Sequence, residues 1–173
     1  VKGEGAGGKG DWRERYGGLV VTAEQAVGRI KPGRRIFVGS ACGQPLALLR
    51  ALAGRWRQLP DTEIIHLLTL GDAPHADPKL AAHFRVNSFF IAENVREVIQ
   101  DCGGDYTPAH LSDIPRLFKS GRLAIDTALI HVSPPDERGR CSLGISVDIV
   151  KSAAENAGLV IAQVNPRMPR TRG

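Results

Sequence analysis

Short, almost unbroken apolar runs, spaced between segments of helical period, constrain this chain more than any other feature. Arg35 to Gly39, Glu63 to Leu70, Asn87 to Ile91, Thr127 to Val132 and Leu159 to Val164 are strand candidates, and most show little alternation of apolar and polar residues. A strand of that kind has to be buried on both faces. Between the runs lie helical patterns. Thr22 and Gln25 form a capping box ahead of Ala23, Ala26, Val27 and Ile30. Pro45 suits the first turn of a helix whose apolar stripe is Leu46, Leu49, Leu52, Ala53 and Trp56. Asn94 reads as the cap of a helix carrying Val95, Val98, Ile99 and Cys102, stopped by Gly103 and Gly104. Ser112 reads as the cap of a short helix with Ile114, Leu117 and Phe118, and Tyr106 to His110 as a minor strand before it. Ser146 to Ala157 predicts a helix with Val147, Val150, Ala153 and Ala154 inward and Gly158 as terminator. Strands alternating with helices predict an α/β domain, a mainly parallel sheet flanked by helices.

Length and composition exclude several classes of partner. A chain of 173 residues with 42% hydrophobic content suffices for one domain with a core. Nothing approaches 18 consecutive apolar residues, so no membrane span is expected. The glycine-rich, charged start lacks an apolar h-region, and residues 1–20 read as a flexible lead-in rather than a signal peptide. Cys42, Cys102 and Cys141 are odd in number and form no CxxC pair. That argues against a disulfide framework and against structural zinc, and for a reducing, cytoplasmic setting. The net charge of +5 is spread along the chain with only 5% aromatic residues, so no nucleic-acid partner is expected; an acidic, nucleotide-like ligand suits the same balance.

In open parallel sheets ligands bind beyond the C-terminal ends of the strands. The segments leaving those ends are rich in Gly, Pro and polar residues: 39–45, 71–78, 133–139 and 165–173. The first, Gly39 to Pro45 (GSACGQP), has two readings. Backbone amides at a helix start, with glycines allowing close approach, make an anion or oxyanion site. Equally, glycine serves a tight strand-to-helix turn for steric reasons alone. No Lys-Ser/Thr follows the second glycine and the GxGxxG spacing is absent, so this is neither a Walker loop nor a dinucleotide fingerprint.

The individual reactive residues point nowhere strongly. Cys42 lies in that loop without an identifiable base, and packing in the turn is the expectation for it. His66 and His131 fall inside apolar strands and read as hydrogen-bonded core histidines. His75 and His83 flank Asp77 without helical pairing, and no metal site is expected. Asp136, three before Gly139, reads as an ordinary turn. No serine triad can be assembled.

From Val21 to Gly173 the chain resembles the N-terminal domain of the acetyl-CoA hydrolase/transferase family, which includes the 4-hydroxybutyrate CoA-transferases. The stretches carrying the resemblance are Gly39 to Pro45, His66 to Pro74 (HLLTLGDAP), Phe84 to Phe90 (FRVNSFF) and Asp105 to Pro108 (DYTP). They continue with Ser112 to Phe118 (SDIPRLF), Val132 to Asp136 (VSPPD), Cys141 to Gly144 (CSLG) and Val164 to Thr171 (VNPRMPRT), in order along the chain.

The resemblance implies the first of two similar CoA-transferase-type domains with an active site in the cleft between them. Acyl-CoA and a small carboxylate, or water, are the implied substrates, with coenzyme A as carrier and no metal. It further implies a glutamate nucleophile on a C-terminal domain absent from this chain, since none of Glu4, Glu14, Glu24, Glu63, Glu93, Glu97, Glu137 or Glu155 matches the family's catalytic position. The chain's own C-terminal domain is therefore the expected partner, and a homo-oligomer is compatible. A stop at Gly173 soon after a strand agrees with such a cut, and an exposed apolar surface is expected where the second domain would sit. The same resemblance implies Gly39, Ser40, Gly43 and Gln44 as lining the acyl or acceptor pocket, with Asn87 and Asn165 as further candidates; a structural role competes for Asn87. Two rivals are a sugar-phosphate isomerase-like domain binding phosphate at the 39–45 loop, and a non-catalytic binding or assembly module.

Overall fold

The computed structural model describes residues 12–171; the expected loose lead-in over residues 1–11 lies outside them. Its remainder forms a helical turn, α1 (Trp12–Arg15), and a 3-10 turn, with Arg15 donating to the Glu137 carbonyl at 2.8 Å. The chain then runs α2 (Ala23–Val27), β1 (Arg35–Val38), α3 (Leu46–Gly54), β2 (Thr62–His66), β3 (Phe84–Ser88), α4 (Arg96–Asp101), β4 (Asp105–Tyr106), α5 (Ile114–Lys119), β5 (Ile125–Val132), α6 (Val150–Asn156) and β6 (Ala157–Val164). The six strands form one sheet in the order β4-β3-β2-β1-β5-β6, and every neighbouring pair is parallel.

The chain begins in the middle of the sheet, works outward to β4, and returns past β1 to add β5 and β6. The direction of winding therefore reverses between β1 and β5. At such a switch point the two connecting segments leave to opposite faces and open a crevice. Here the segment after β1 leads to α3, and the segment after β5 leads to α6.

Alternate side chains of the buried strands feed two cores. Ile36, Val38, Ile64, Leu129 and Ile161 pack with Val27 of α2 and Leu48, Leu49 and Leu52 of α3. Phe37, Ile65, Ala128, Ile130 and Val132 pack with Ile114 and Phe118 of α5 and Val150 and Ala153 of α6. A smaller cluster of Ala76, Val86, Val95 and Val98 joins α4 to β3. Strand order is reinforced by charges in register. Arg35 pairs with Glu63, and Glu63 with Arg85, across β1, β2 and β3. The buried Glu63 carboxylate accepts from Arg35 Nε at 2.6 Å, and Asp126 of β5 accepts from the Arg35 amide at 2.9 Å.

The Thr22 capping box is present in full, with Thr22 Oγ1 accepting from the Gln25 amide and Gln25 Oε1 from the Thr22 amide. Several boundaries differ from expectation. β2 ends at His66, and Leu70 is exposed. β3 spans Phe84–Ser88 rather than starting at Asn87, because Thr62 to His66 pair residue by residue with Phe84 to Ser88. β4 stops at Tyr106. Asn94 caps nothing; its amide donates to Thr69 Oγ1 and to the Gly71 carbonyl at 2.8 Å, tying down the loop after β2. Asp113, not Ser112, stands at the start of α5. The largest difference is at α6, which begins only at Val150; Val147 is exposed, and Gly158 lies inside β6 rather than ending the helix. Ser146 bonds the Asp148 side chain within the stretch, and Asp148 accepts from Ser40 across the sheet edge, so this stretch forms turns instead of helix.

Candidate functional site

The loop after β1 runs over the C-terminal edge of the sheet at the switch point. The Gly39 amide donates to the Leu129 carbonyl of β5 at 2.9 Å, and the Ala41 amide to the Leu68 carbonyl beyond β2 at 2.8 Å. Ala41 also makes a parallel bridge with Thr69. Between these anchors the chain folds back on itself, with the Gly43 amide on the Ser40 carbonyl and the Gln44 amide on the Ala41 carbonyl. This turn forces Ala41 to φ +47°, a left-handed conformation that a residue with a Cβ adopts at a cost of about 1–2 kcal/mol.

The loop after β5 closes against it. Ser40 Oγ donates to Asp148 Oδ1 at 3.2 Å, and Ser146 Oγ donates to Asp148 Oδ2 at 3.0 Å. A Cβ placed on Gly43 would lie 2.8 Å from the Ser146 Cβ, and one placed on Gly39 would lie 3.1 Å from the Gly43 carbonyl oxygen. The steric reading of this loop therefore accounts for Gly43, while Gly39 sits in a tight contact inside the protein.

The helix start following the loop is closed as well. The Ala47 amide donates to Gln163 Oε1 of β6 at 3.0 Å, and the Leu46 amide to the Gln44 carbonyl at 3.0 Å. Two of the amides that the anion-site reading would use are thus taken by the protein's own acceptors. Gln44 is buried; its Nε2 donates to the Asp72 carbonyl at 2.7 Å, while Oε1 has no partner among the described residues. His131, half-buried at the end of β5, stands beside Gln163. Burial pushes its pKa down, and a hydrogen bond with the Gln44 backbone works against that.

The structure gathers Gly39, Ser40, Gly43 and Gln44 in one loop at the switch point, and leaves Asn87 and Asn165 apart. Asn87 is buried in β3, two strands from β1, donating to Glu63 Oε1 at 3.0 Å and accepting from Thr107 Oγ1 at 2.8 Å. Asn165, past the end of β6, accepts from the Arg167 amide at 2.9 Å in a turn of its own. Sequence reasoning missed Ser146, Asp148 and Gln163. The sequence reading takes Ser146 as the first residue of a helix, which leaves no separate loop role for Ser146 or Asp148.

Cys42 is exposed at the crest of the loop, not packed in the turn as expected. His66 and His75 correct a second expectation. Their rings meet edge to face at 5.5 Å between centroids, both are buried, and no ring nitrogen of either has a hydrogen-bond partner among the described residues. Burial, aided by the neighbouring His75, lowers the His66 pKa to about 3; burial alone lowers that of His75 to about 4. Asp136 is the turn residue expected, accepting from the Arg138 and Arg140 amides and pairing with Arg170 at 3.1 Å. Those bonds, the Arg140 amide foremost, hold its carboxyl below the usual range. Among the described residues no group of three or more His, Cys, Asp or Glu could hold a metal ion. No helix among them is long and apolar enough to cross a membrane.

Six of the exposed large apolar side chains lie along the C-terminal edge of the sheet. Leu70, Phe90, Tyr106, Leu111, Ile145 and Val147 are all exposed, and all lie on β4 or on segments leaving the C-terminal ends of β2, β3, β4 and β5.

Residues 7–173 match the profile of the acetyl-CoA hydrolase/transferase N-terminal domain. Over 163 residues the chain is 41% identical to a 4-hydroxybutyrate coenzyme A transferase of Clostridium kluyveri, covering 94% of this chain and 38% of that protein. It is 40% identical over 152 residues to a succinyl-CoA:acetate/propanoyl-CoA:succinate CoA transferase of Fasciola hepatica, covering 87% of this chain and 31% of the relative. Among solved structures it is similar to RipA from Yersinia pestis, with a TM-score of 0.83 at 30% identity over 94% of this chain and 40% of that one.

Proposed function

The chain belongs to the acetyl-CoA hydrolase/transferase N-terminal domain family, and from that premise we propose that it forms one wall of the active site of an enzyme moving coenzyme A between a thioester and a small carboxylic acid or water. It spans 38% of the Clostridium kluyveri relative's length, which leaves the opposite wall to another part of the protein. The supporting observation is the β1/β5 switch point, where the 39–45 and 144–149 loops meet and the second of them exposes Ile145 and Val147. A surface of that kind is expected to be covered by a second domain.

In this reading the thioester lies across the 39–45 loop and a carboxylate on the second domain attacks its carbonyl. Thiolate leaves as the acyl–enzyme anhydride forms; the thiolate returns to give a glutamyl-CoA thioester and free acid, and the acceptor acid or water resolves it. Glu63 supplies no such nucleophile, since its carboxylate is buried and pinned by Arg35 and Asn87. The closed start of α3 disfavours the rival reading of a phosphate-binding isomerase. A cytoplasmic location and a complete two-domain chain belong to the same proposal.

The test compares this chain with the whole protein in a thiol-release assay and an exchange assay between acetyl-CoA and labelled acids. The chain alone is expected to be inert and the whole protein active. Turnover by the isolated chain, or none by the whole protein with any acid or water, would overturn the reading.

A further inference from the structure

We propose that Asp148 is a positioning residue that holds the 39–45 loop in its working shape from across the switch point; the proposal rests on the CoA-transfer reading above. The loop carries a left-handed Ala41, and a non-glycine residue stays in that conformation only when its surroundings over-determine it. On the β2 side the anchor is the Ala41 amide bond to the Leu68 carbonyl. On the β5 side the Gly39 amide holds the Leu129 carbonyl, and Asp148 adds a side-chain clamp beyond it, its two oxygens taking the hydroxyls of Ser40 and Ser146, one from each loop. The Ile149 amide also donates to Asp148 Oδ1, which orients the carboxylate on its own backbone.

A serine hydroxyl has one proton. The protons of Ser40 and Ser146 both point at Asp148, so neither is left to hold a substrate carboxylate. Ser40, a candidate pocket-lining residue by resemblance, instead acts through its backbone: its carbonyl takes the Gly43 amide and fixes the turn that carries Ala41 and the exposed Cys42. Releasing Asp148 would let Ala41 relax out of the left-handed region and move that turn, while the strands beneath keep their bonds. The expected consequence is weaker substrate binding without loss of fold.

Two readouts on the whole protein test this, amide hydrogen exchange and steady-state kinetics, for Asp148→Ala and Asp148→Asn. In the alanine variant the Gly43 and Gln44 amides should exchange at least about tenfold faster, while that of Phe37 in β1 keeps its rate. KM for acyl-CoA should rise about tenfold, the factor corresponding to 1.4 kcal/mol, at an unchanged thermal midpoint. The asparagine variant should recover most of both effects, because its oxygen accepts from one serine and its amide can donate to the other. Should the alanine variant fail to fold, Ser40→Ala combined with Ser146→Ala removes the same bonds and is read the same way. Loop amides exchanging at the wild-type rate overturn the clamp. Faster exchange with unchanged KM and kcat overturns the positioning role. If the wild-type protein transfers no CoA, the functional reading fails by itself, and the exchange measurement still decides the clamp.

Discussion

Gly43 and Ser146 meet across the gap between β1 and β5 so closely that a Cβ on Gly43 would stand 2.8 Å from the Cβ of Ser146. The contact joins the two loops on which the candidate site is built. It also explains a glycine that, on sequence grounds, equally suited a ligand approaching the backbone.

Gly43→Ala should therefore act on stability before it acts on any ligand. Overpacking a close contact typically costs about 1–3 kcal/mol, and denaturant unfolding of the variant should show a loss in that range. Placing the change in a Ser146→Gly background removes the opposing Cβ and should recover at least half of the loss, read as a coupling in a double-mutant cycle. Equal losses in both backgrounds would mean that the two residues do not press on each other.

Cys42 should behave as an exposed thiol on a surface loop. Cys42→Ala is expected to change stability by less than about 0.5 kcal/mol. Alkylation of the native protein, read by mass spectrometry of its peptides, should label Cys42 and Cys141, both exposed, ahead of the half-buried Cys102. Protection of Cys42 in the native state would contradict the open crevice.

The buried pair His66 and His75 should make the domain acid-sensitive in a defined window. Both folded-state pKa values are depressed, to about 3 and about 4, below the ordinary value of 6.5. The unfolded chain therefore binds more protons than the folded one between these limits. Their contribution to stability is fully present above pH 6.5 and is lost as pH falls toward 4 and 3, at up to about 1.4 kcal/mol per pH unit for each histidine. Urea unfolding between pH 7 and 4.5 measures the slope, and His75→Leu should roughly halve it. A pH-independent midpoint over that range would show that the rings are not held neutral by burial.

Sequence reasoning reached the four edge loops correctly, because parallel strands read from apolar runs place every following segment on one side of the sheet. It failed on the partners of those loops. Asp148 is distant in sequence from Ser40, and only the neighbouring placement of β5 beside β1 brings their side chains to 3.2 Å. Gln163 caps the start of α3 for the same reason, from the far side of β5. The misplacement of β3 came from weighing apolarity alone: Phe89 and Phe90 extend the apolar run, but pairing with β2 ends at Ser88.

By itself the sequence determined what depends on neighbours along the chain: the capping box at Thr22, the buried Leu49 and Leu52 of α3, the buried run of β1 and the α/β class that follows from their alternation. Tertiary structure alone decided what depends on strand order. The charges of Arg35, Glu63 and Arg85 become a ladder only because β1, β2 and β3 lie side by side in register. Likewise Gly43 of the 39–45 loop meets Ser146, and Ser40 serves Asp148, only because the chain crosses back past β1 to lay down β5. Local pattern follows from the dihedral and burial preferences of successive residues, whereas a site at a switch point is made by segments whose meeting those preferences do not encode.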